Sequence, residues 1–341
     1  MHVLHGTVAH YEWGDKEALP DFLGALTNGK PWAELWFGTH PGGPSQITTT
    51  TGTKPLSDVV GQLPFLVKVI AAAEPLSLQT HPTTTQAREG YARENKIGIA
   101  LDSPQRIYRD TSAKPELLIA LSRFEAVSGF RDVAETLELF TRHNWRDLAT
   151  RLSRDGIEGF VRFALGQSRH ELPSNLPDYA ARLAEHHPGS GGVLVALLMH
   201  HVVLEAGEAL FLDAGNVHSY LSGVGVEVMS ASDNVVRAAF TRKHVDVEEF
   251  MRVSSFAPMP PPIVSHARND DRIEYFAPTR AFGVQRVDGD KRVTVRATHA
   301  HEIVLCVSGG DDTLRKGQAC LLRHGESLTI DAPASVFRCW G

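Results

Sequence analysis

The chain has 341 residues, enough for two or three domains, and its 42% hydrophobic and 22% charged content is that of a globular protein. With 40 acidic against 34 basic residues its formal charge is −6, which argues against nucleic acid or an anionic membrane as a bulk electrostatic partner. A small anionic substrate stays open, because only local charge matters for that.

The three cysteines, Cys306, Cys320 and Cys339, show no CxxC spacing and are odd in number, so neither a zinc knuckle nor a disulfide framework is expected. The N-terminus is not signal-like, and the longest apolar run, 192–199, is too short to span a bilayer. These features predict a cytoplasmic protein.

In chain order, the segment 1–131 is rich in Gly, Pro and Thr, with short strand-like runs at 46–51 and 65–71 bounded by turn signals. The stretch 75–82, read as a strand, sends Leu76, Leu78 and Thr80 to one face and Ser77, Gln79 and His81 to the other. An amide oxygen and an imidazole nitrogen on one face suit a divalent metal of intermediate hardness. A polar helix is expected over 83–95 and strands over 115–127. From 132 to about 187 apolar residues recur at helical spacing, among them Leu137, Phe140, Trp145, Leu148, Leu152 and Phe160. This predicts a helical insertion in an otherwise β-rich chain. Strands are expected to resume at Val193.

The stretch 204–215 recurs as 322–333, with Leu, Gly, Glu, Leu, Asp and Ala matching at six of twelve positions. A repeat of this kind implies a duplicated unit, and its punctuation is that of an antiparallel jelly roll. Three residues after the first copy stands His218, and the equivalent place after the second is Val336. Only one unit therefore carries the ligand. A Pro-rich linker at 258–262 separates the two units.

The placement of His218 just after a turn resembles the second cupin motif, with Asp213 where Pro is usual. Gln79-Thr80-His81 stands where the first cupin motif offers His-x-His. No carboxylate follows within 83–86, but Lys114-Pro115-Glu116 can supply one from a neighbouring strand, with Lys114 and Glu116 on one face. Gln79, His81, Glu116 and His218 then form a set of nitrogen and oxygen donors without thiolate, which suits a catalytic Zn²⁺ with a place left for water or substrate. Glu227 shares a face with Met229, and Arg237 falls on the same parity if the strand is unbroken. That carboxylate and that guanidinium suit proton transfer and anion clamping.

Together these stretches resemble the type I mannose-6-phosphate isomerases of the cupin superfamily. The resemblance is carried by Tyr11-Glu12-Trp13-Gly14, by Ala33-Glu34-Leu35-Trp36-Phe37-Gly38-Thr39-His40-Pro41, by 75–82, by Lys114-Pro115-Glu116, by 215–221 and by 232–238. Beyond 257 it rests mainly on the repeat. It implies one Zn²⁺ per chain on Gln79, His81, Glu116 and His218, with Ser77, Lys114 and Arg237 around the sugar phosphate. Glu227 would match a carboxylate considered for proton transfer. Ala113 departs from the family, many members of which carry His before Lys-Pro-Glu, and Glu12 stands where Gln or Ser is frequent.

The fold implied is mainly β, with two cupin-type jelly-roll barrels in a bicupin arrangement and a helical insertion. The catalytic unit would comprise 1–131 and 193–257, the insertion 132–192, and a C-terminal unit without metal ligands 258–341. The reaction implied interconverts mannose 6-phosphate and fructose 6-phosphate through a cis-enediolate, supplying precursors of GDP-mannose. A monomer without nucleic-acid or membrane partner is expected. Two other readings stay open: a non-catalytic cupin that binds sugar phosphate, and a cupin metalloenzyme of another reaction type using Fe²⁺ or Mn²⁺.

Overall fold

The thirteen-residue strand His218–Ser230 is the trunk of the largest of three sheets among the described residues. Its first half pairs with Leu78–Thr80 and Phe124–Phe130, and its second half with Phe65–Ala72 and Glu116–Ala120. The change of partners falls at Gly223 (φ 121°), where a Cβ would lie 2.7 Å from the Arg123 carbonyl oxygen. Only glycine lets the strand pass there. A register shift between Tyr220 and Ser222 also alters which side chains share a face, since strand side chains alternate with period two. It brings Tyr220 and Glu227 to one side, and the Tyr220 hydroxyl donates to Glu227 Oε1 at 3.0 Å.

This structure is a computed structural model that describes residues 2–49 and 52–341. The expected strand at 46–51 is present as Gln46–Thr49, its last two positions lying outside the described residues. The eleven-stranded sheet extends through Ala209–Leu212 to Ile263–Val264 on one side, and through Glu34–Phe37 to Thr7–Ala9 on the other. In the nine-stranded sheet Ala334–Trp340 lies between Gly283–Gly289 and His301–Gly309. The N-terminal strand His2–His5 joins this second sheet, pairing with Ala319–Arg323 and with Gln46–Thr49. The strand His2–His5 thus bridges a strand near the C-terminus and one near the N-terminus.

The two copies of the repeat have the same wiring. The Glu205 N–H donates to the Glu208 carboxylate at 2.8 Å, and the Arg323 N–H to that of Glu326 at 3.0 Å. Each turn leads into a strand, Ala209–Leu212 and Ser327–Ile330. Around the second copy the interior is apolar: Val287, Val293, Val304, Leu328 and Val336 form one buried cluster.

The polar helix is Thr84–Lys96, started by a reciprocal cap between Thr83 and Gln86. The insertion contains Val133–Arg142, Arg146–Leu165 and Asp178–His186, whose apolar faces share one core with Leu78, Val217 and Val236. One expectation is corrected. Strands do not resume at Val193, because Gly191–Ala196 is a short helix capped by Ser190, and the next strand is Met199–Leu204. Every residue of 191–196 is buried, so the run carries no amphipathic period to separate helix from strand. The expected strands at 115–127 form as Glu116–Ala120 and Phe124–Phe130, divided by a turn. Among the described residues no helix is long and apolar enough to cross a membrane.

Candidate metal centre and active site

Gln79 is central to the site because its strand has two neighbours. It pairs with His218 on the trunk and with Arg237 on Val236–Ala239. Directly paired residues share a face, so three distant parts of the chain meet there. Main-chain bonds fix the meeting: Leu76 N–H to Tyr220 O at 2.8 Å and Gly215 N–H to His81 O at 2.8 Å. The Ser219 hydroxyl adds a bond to Leu76 O at 2.7 Å. The turn that delivers His218 closes from Asn216 N–H to Asp213 O at 3.1 Å, and Gly215 takes φ 79° within it, a conformation that favours glycine.

His81, Glu116 and His218 converge there, with ligand atoms all within 4.8 Å of one another and all three residues buried. His81 Nδ1 bonds the Asn234 carbonyl at 2.9 Å, and His218 Nδ1 the Asn216 carbonyl at 3.0 Å. A carbonyl only accepts, so each ring spends its N–H outward and turns the Nε2 lone pair to the centre. His81 Nε2 is buried without a hydrogen-bond partner and lies 3.2 Å from Glu116 Oε2, which lies 3.7 Å from His218 Nε2. Lone-pair atoms facing each other in a dry site are what a divalent cation between them relieves. The Gln79 amide lies beside them, its Nε2 at 3.2 Å from His218 Nε2, so that its oxygen could serve as a fourth ligand once the amide is turned. The residues present therefore fit a metal of the zinc type.

Charge in the site is unevenly shared. Burial raises the Glu116 pKa, but the charge of Lys114, 3.0 Å from Oε1, opposes it most strongly, and this carboxyl is held well below its usual range. Burial, then His81, push His218 down to about 4, so its ring is neutral and able to ligate at neutral pH. Glu227 behaves oppositely: burial, then the charge of Glu116, push it up to about 7.

Sequence reasoning missed the group around Glu227. Lys68 Nζ lies 3.2 Å from Glu227 Oε2 and 3.7 Å from Glu34 Oε2, and 4.9 Å from the centre of the Trp36 ring. Lys68 and Glu227 are direct partners across paired strands. The two carboxylates outweigh burial and raise the lysine's pKa, so it stays charged. The available signal was a lone Lys inside an otherwise apolar run, 65–72, all of it buried. A charge there needs a partner.

Arg237 reaches the site by a route other than the expected one. The trunk ends at Ser230, so no continuous face runs from Glu227 to Arg237, and the pairing with Gln79 places it instead. Among the described residues its guanidinium has no hydrogen bond or ion pair, although it is only partly exposed. Burial and the neighbouring Arg109 depress its pKa, against the smaller opposing effects of Tyr11 and Asp233. The loop between the strands is stapled down: Asn234 Nδ2 donates to Asp110 O and Ser112 O, and Ser232 Oγ to the Asp110 carboxylate. The 232–234 motif thus carries the carbonyl that orients His81. Asp233 also meets the buried His40, at 3.3 Å.

Of the residues singled out from the sequence, Ser77, Gln79, His81, Lys114, Glu116 and His218 are linked by contacts around one point, and Arg237 is joined to them by the pairing of its strand with Gln79. Glu227 stands in the adjoining group, linked through Lys68 and Tyr220. Ser77 touches Gln79, at 2.8 Å from its amide oxygen.

Comparison with known proteins identifies the family. The family profile for the catalytic domain of type I phosphomannose isomerase matches residues 1–133. The mannose-6-phosphate isomerase of Salmonella typhimurium is 34% identical, covering 100% of this chain and 97% of the relative. That of Escherichia coli is 33% identical over 98% and 96%. Among solved structures, a mutant phosphomannose isomerase from Salmonella typhimurium superposes with a TM-score of 0.90 at 28% identity, covering 100% of this chain and 99% of that one. A zinc-bound mannose 6-phosphate isomerase matches with the same TM-score, identity and coverage. The chain belongs to the type I phosphomannose isomerase family.

Proposed function

We propose that this chain interconverts mannose 6-phosphate and fructose 6-phosphate through a cis-enediolate, with one zinc held by Gln79, His81, Glu116 and His218. The observation that carries the reading is the pair of imidazole Nε2 atoms turned with a carboxylate oxygen onto one buried point. Bound zinc supplies a Lewis acid that spreads the charge of an enediolate. Glu227 is the base that carries the proton between C2 and C1, held in place by Lys68 and the Tyr220 hydroxyl. Lys114 and Arg237 add positive potential where charge develops. Ser77 and a basic side chain engage the phosphate end, whose binding energy orients the reacting carbons.

The same reading takes the two β units as cupin-type jelly rolls in a bicupin arrangement. The catalytic unit is 1–131 with 193–257, the insertion 132–192 and the metal-free unit 258–341. The repeated turn wiring supports the duplication. The reading takes the chain as a cytoplasmic monomer with neither nucleic acid nor membrane as partner, in keeping with its charge of −6. A coupled assay on mannose 6-phosphate, run with metal analysis of the purified protein, tests it. Sugar-phosphate binding without turnover would favour a non-catalytic binder.

The pH dependence tests Glu227. A base works only when ionised, so kcat should rise as pH climbs through about 7 and flatten above it. Glu227→Gln should lower kcat by about 10²–10⁴-fold and remove that limb. A limb that persists in the variant belongs to another group.

Zinc should occupy one place. Crystals soaked in zinc are expected to give a single strong anomalous peak beside His81 and His218, since the cluster around Val336 is apolar but for the two buried thiols of Cys306 and Cys320, and among the described residues His81, Glu116 and His218 form the one group of three candidate ligands. Chelation should abolish activity yet leave most of the circular dichroism, because the site is built on already packed strands. A comparable peak within 263–341 would overturn the assignment of that unit.

A further inference from the structure

Ser77 lies beside the metal set without belonging to it. Its hydroxyl is 2.8 Å from Gln79 Oε1, while Nε2 of the same amide is 3.2 Å from His218 Nε2. The amide thus spans from serine to imidazole, one end to each. His218 cannot adapt to it, because its Nδ1–H is committed to the Asn216 carbonyl and its Nε2 carries the lone pair. The amide end near His218 is also the end nearest the point where His81 and Glu116 converge. A divalent cation there takes an amide oxygen and not an amide nitrogen, whose lone pair is delocalised into the carbonyl.

A half-turn about the Cγ–Cδ bond exchanges the two ends of the amide in nearly the same places. After it Oε1 faces the metal, and Nε2–H faces Ser77 Oγ at hydrogen-bond distance. A serine hydroxyl can follow this change because it accepts as well as donates and its proton rotates freely. An alanine or an apolar neighbour could not. The remaining ligands need no such help, since His81 and His218 are locked by carbonyls and Glu116 by Lys114.

We propose that Ser77 is a positioning residue that holds the Gln79 amide with its oxygen toward zinc. Its hydroxyl accepts from Gln79 Nε2, and its own proton is then left to donate to an oxygen of the substrate. The inference rests on the assignment of zinc to Gln79, His81, Glu116 and His218. Outer partners that orient a metal ligand are worth about 10–100-fold in metal affinity, so Ser77→Ala should weaken zinc by that range.

The test is a cycle of four full-length proteins: wild type, Ser77→Ala, Gln79→Glu and the double variant. Each is stripped of metal, and its zinc affinity is measured by competition with a chromophoric chelator, with circular dichroism as a check on folding. A carboxylate presents oxygen at both ends, so in the Gln79→Glu background nothing is left to orient. Ser77→Ala should then cost less than about threefold there, against about 10-fold or more beside Gln79. Equal losses in both backgrounds would mean that Ser77 only fills space, and the proposal falls. Unchanged zinc affinity with a raised KM would make Ser77 a substrate contact alone, which also overturns it. His81→Ala separates the two levels of the argument: if zinc affinity survives that change, the zinc assignment itself is wrong.

Discussion

Glu116→Gln is expected to lower kcat/KM for mannose 6-phosphate by about 10³-fold or more, and zinc content to well below one per chain. The carboxylate has two oxygens with separate tasks. Oε2 faces both imidazoles and Oε1 faces Lys114. Glutamine keeps the shape but removes the negative charge from the metal set. A Lewis acid contributes several kcal/mol to stabilising an enediolate, and each 1.4 kcal/mol is about tenfold in rate. The substitution also strands Lys114, which is buried and has Glu116 as its ion-pair partner. Breaking a buried pair by removing one member costs roughly 3–5 kcal/mol, so the denaturant midpoint should fall as well. Glu116→Gln combined with Lys114→Met removes both members. It should recover much of the stability and none of the activity. Full zinc occupancy in Glu116→Gln, with a rate loss below about tenfold, would show that this carboxylate does not hold the metal.

How legible this was from the sequence depends on the range of the interaction. The meeting of His81 and His218 was readable because a strand's period of two puts Gln79 and His81 on one face, and because His218 follows a turn built on Gly215. The repeat was readable for a similar reason. Glu208 and Glu326 make the same local turn bond, so the same letters stand in both places. Gly191–Ala196 failed because a segment buried on all sides has no polar face to reveal its period.

Non-local pairing was not legible at all. Nothing in the text of the chain says that His2–His5 lies against Ala319–Arg323. Nor does it say that Lys68 will stand opposite Glu227. Arg237 is instructive because the face that would join it to Glu227, which needs an unbroken strand, does not form. The trunk strand stops at Ser230, the 231–235 loop is tied to Asp110 and Ser112, and a new strand then sets Arg237 against Gln79. Parity along one strand is a local rule, and a stapled loop cancels it.

Arg237→Lys should therefore damage turnover far more than folding. The guanidinium is partly buried with no ion-pair or hydrogen-bond partner among the described residues, so its donors are unspent. It pairs with Gln79 across the strands, and the proposed function assigns those donors to the reacting carbons or the phosphate of a bound sugar. Lysine keeps the charge but loses the planar fork that grips two oxygens at once. By analogy with removal of one oxyanion donor, the loss should be about 3–4 kcal/mol of barrier, or about 10²–10³-fold. If the contact is made chiefly in the transition state, kcat and kcat/KM fall together; if it serves only to grip the phosphate, KM alone rises. The melting temperature should barely move, because no partner inside the protein is lost. A variant in which neither constant moves by more than about twofold would place Arg237 outside the catalytic site.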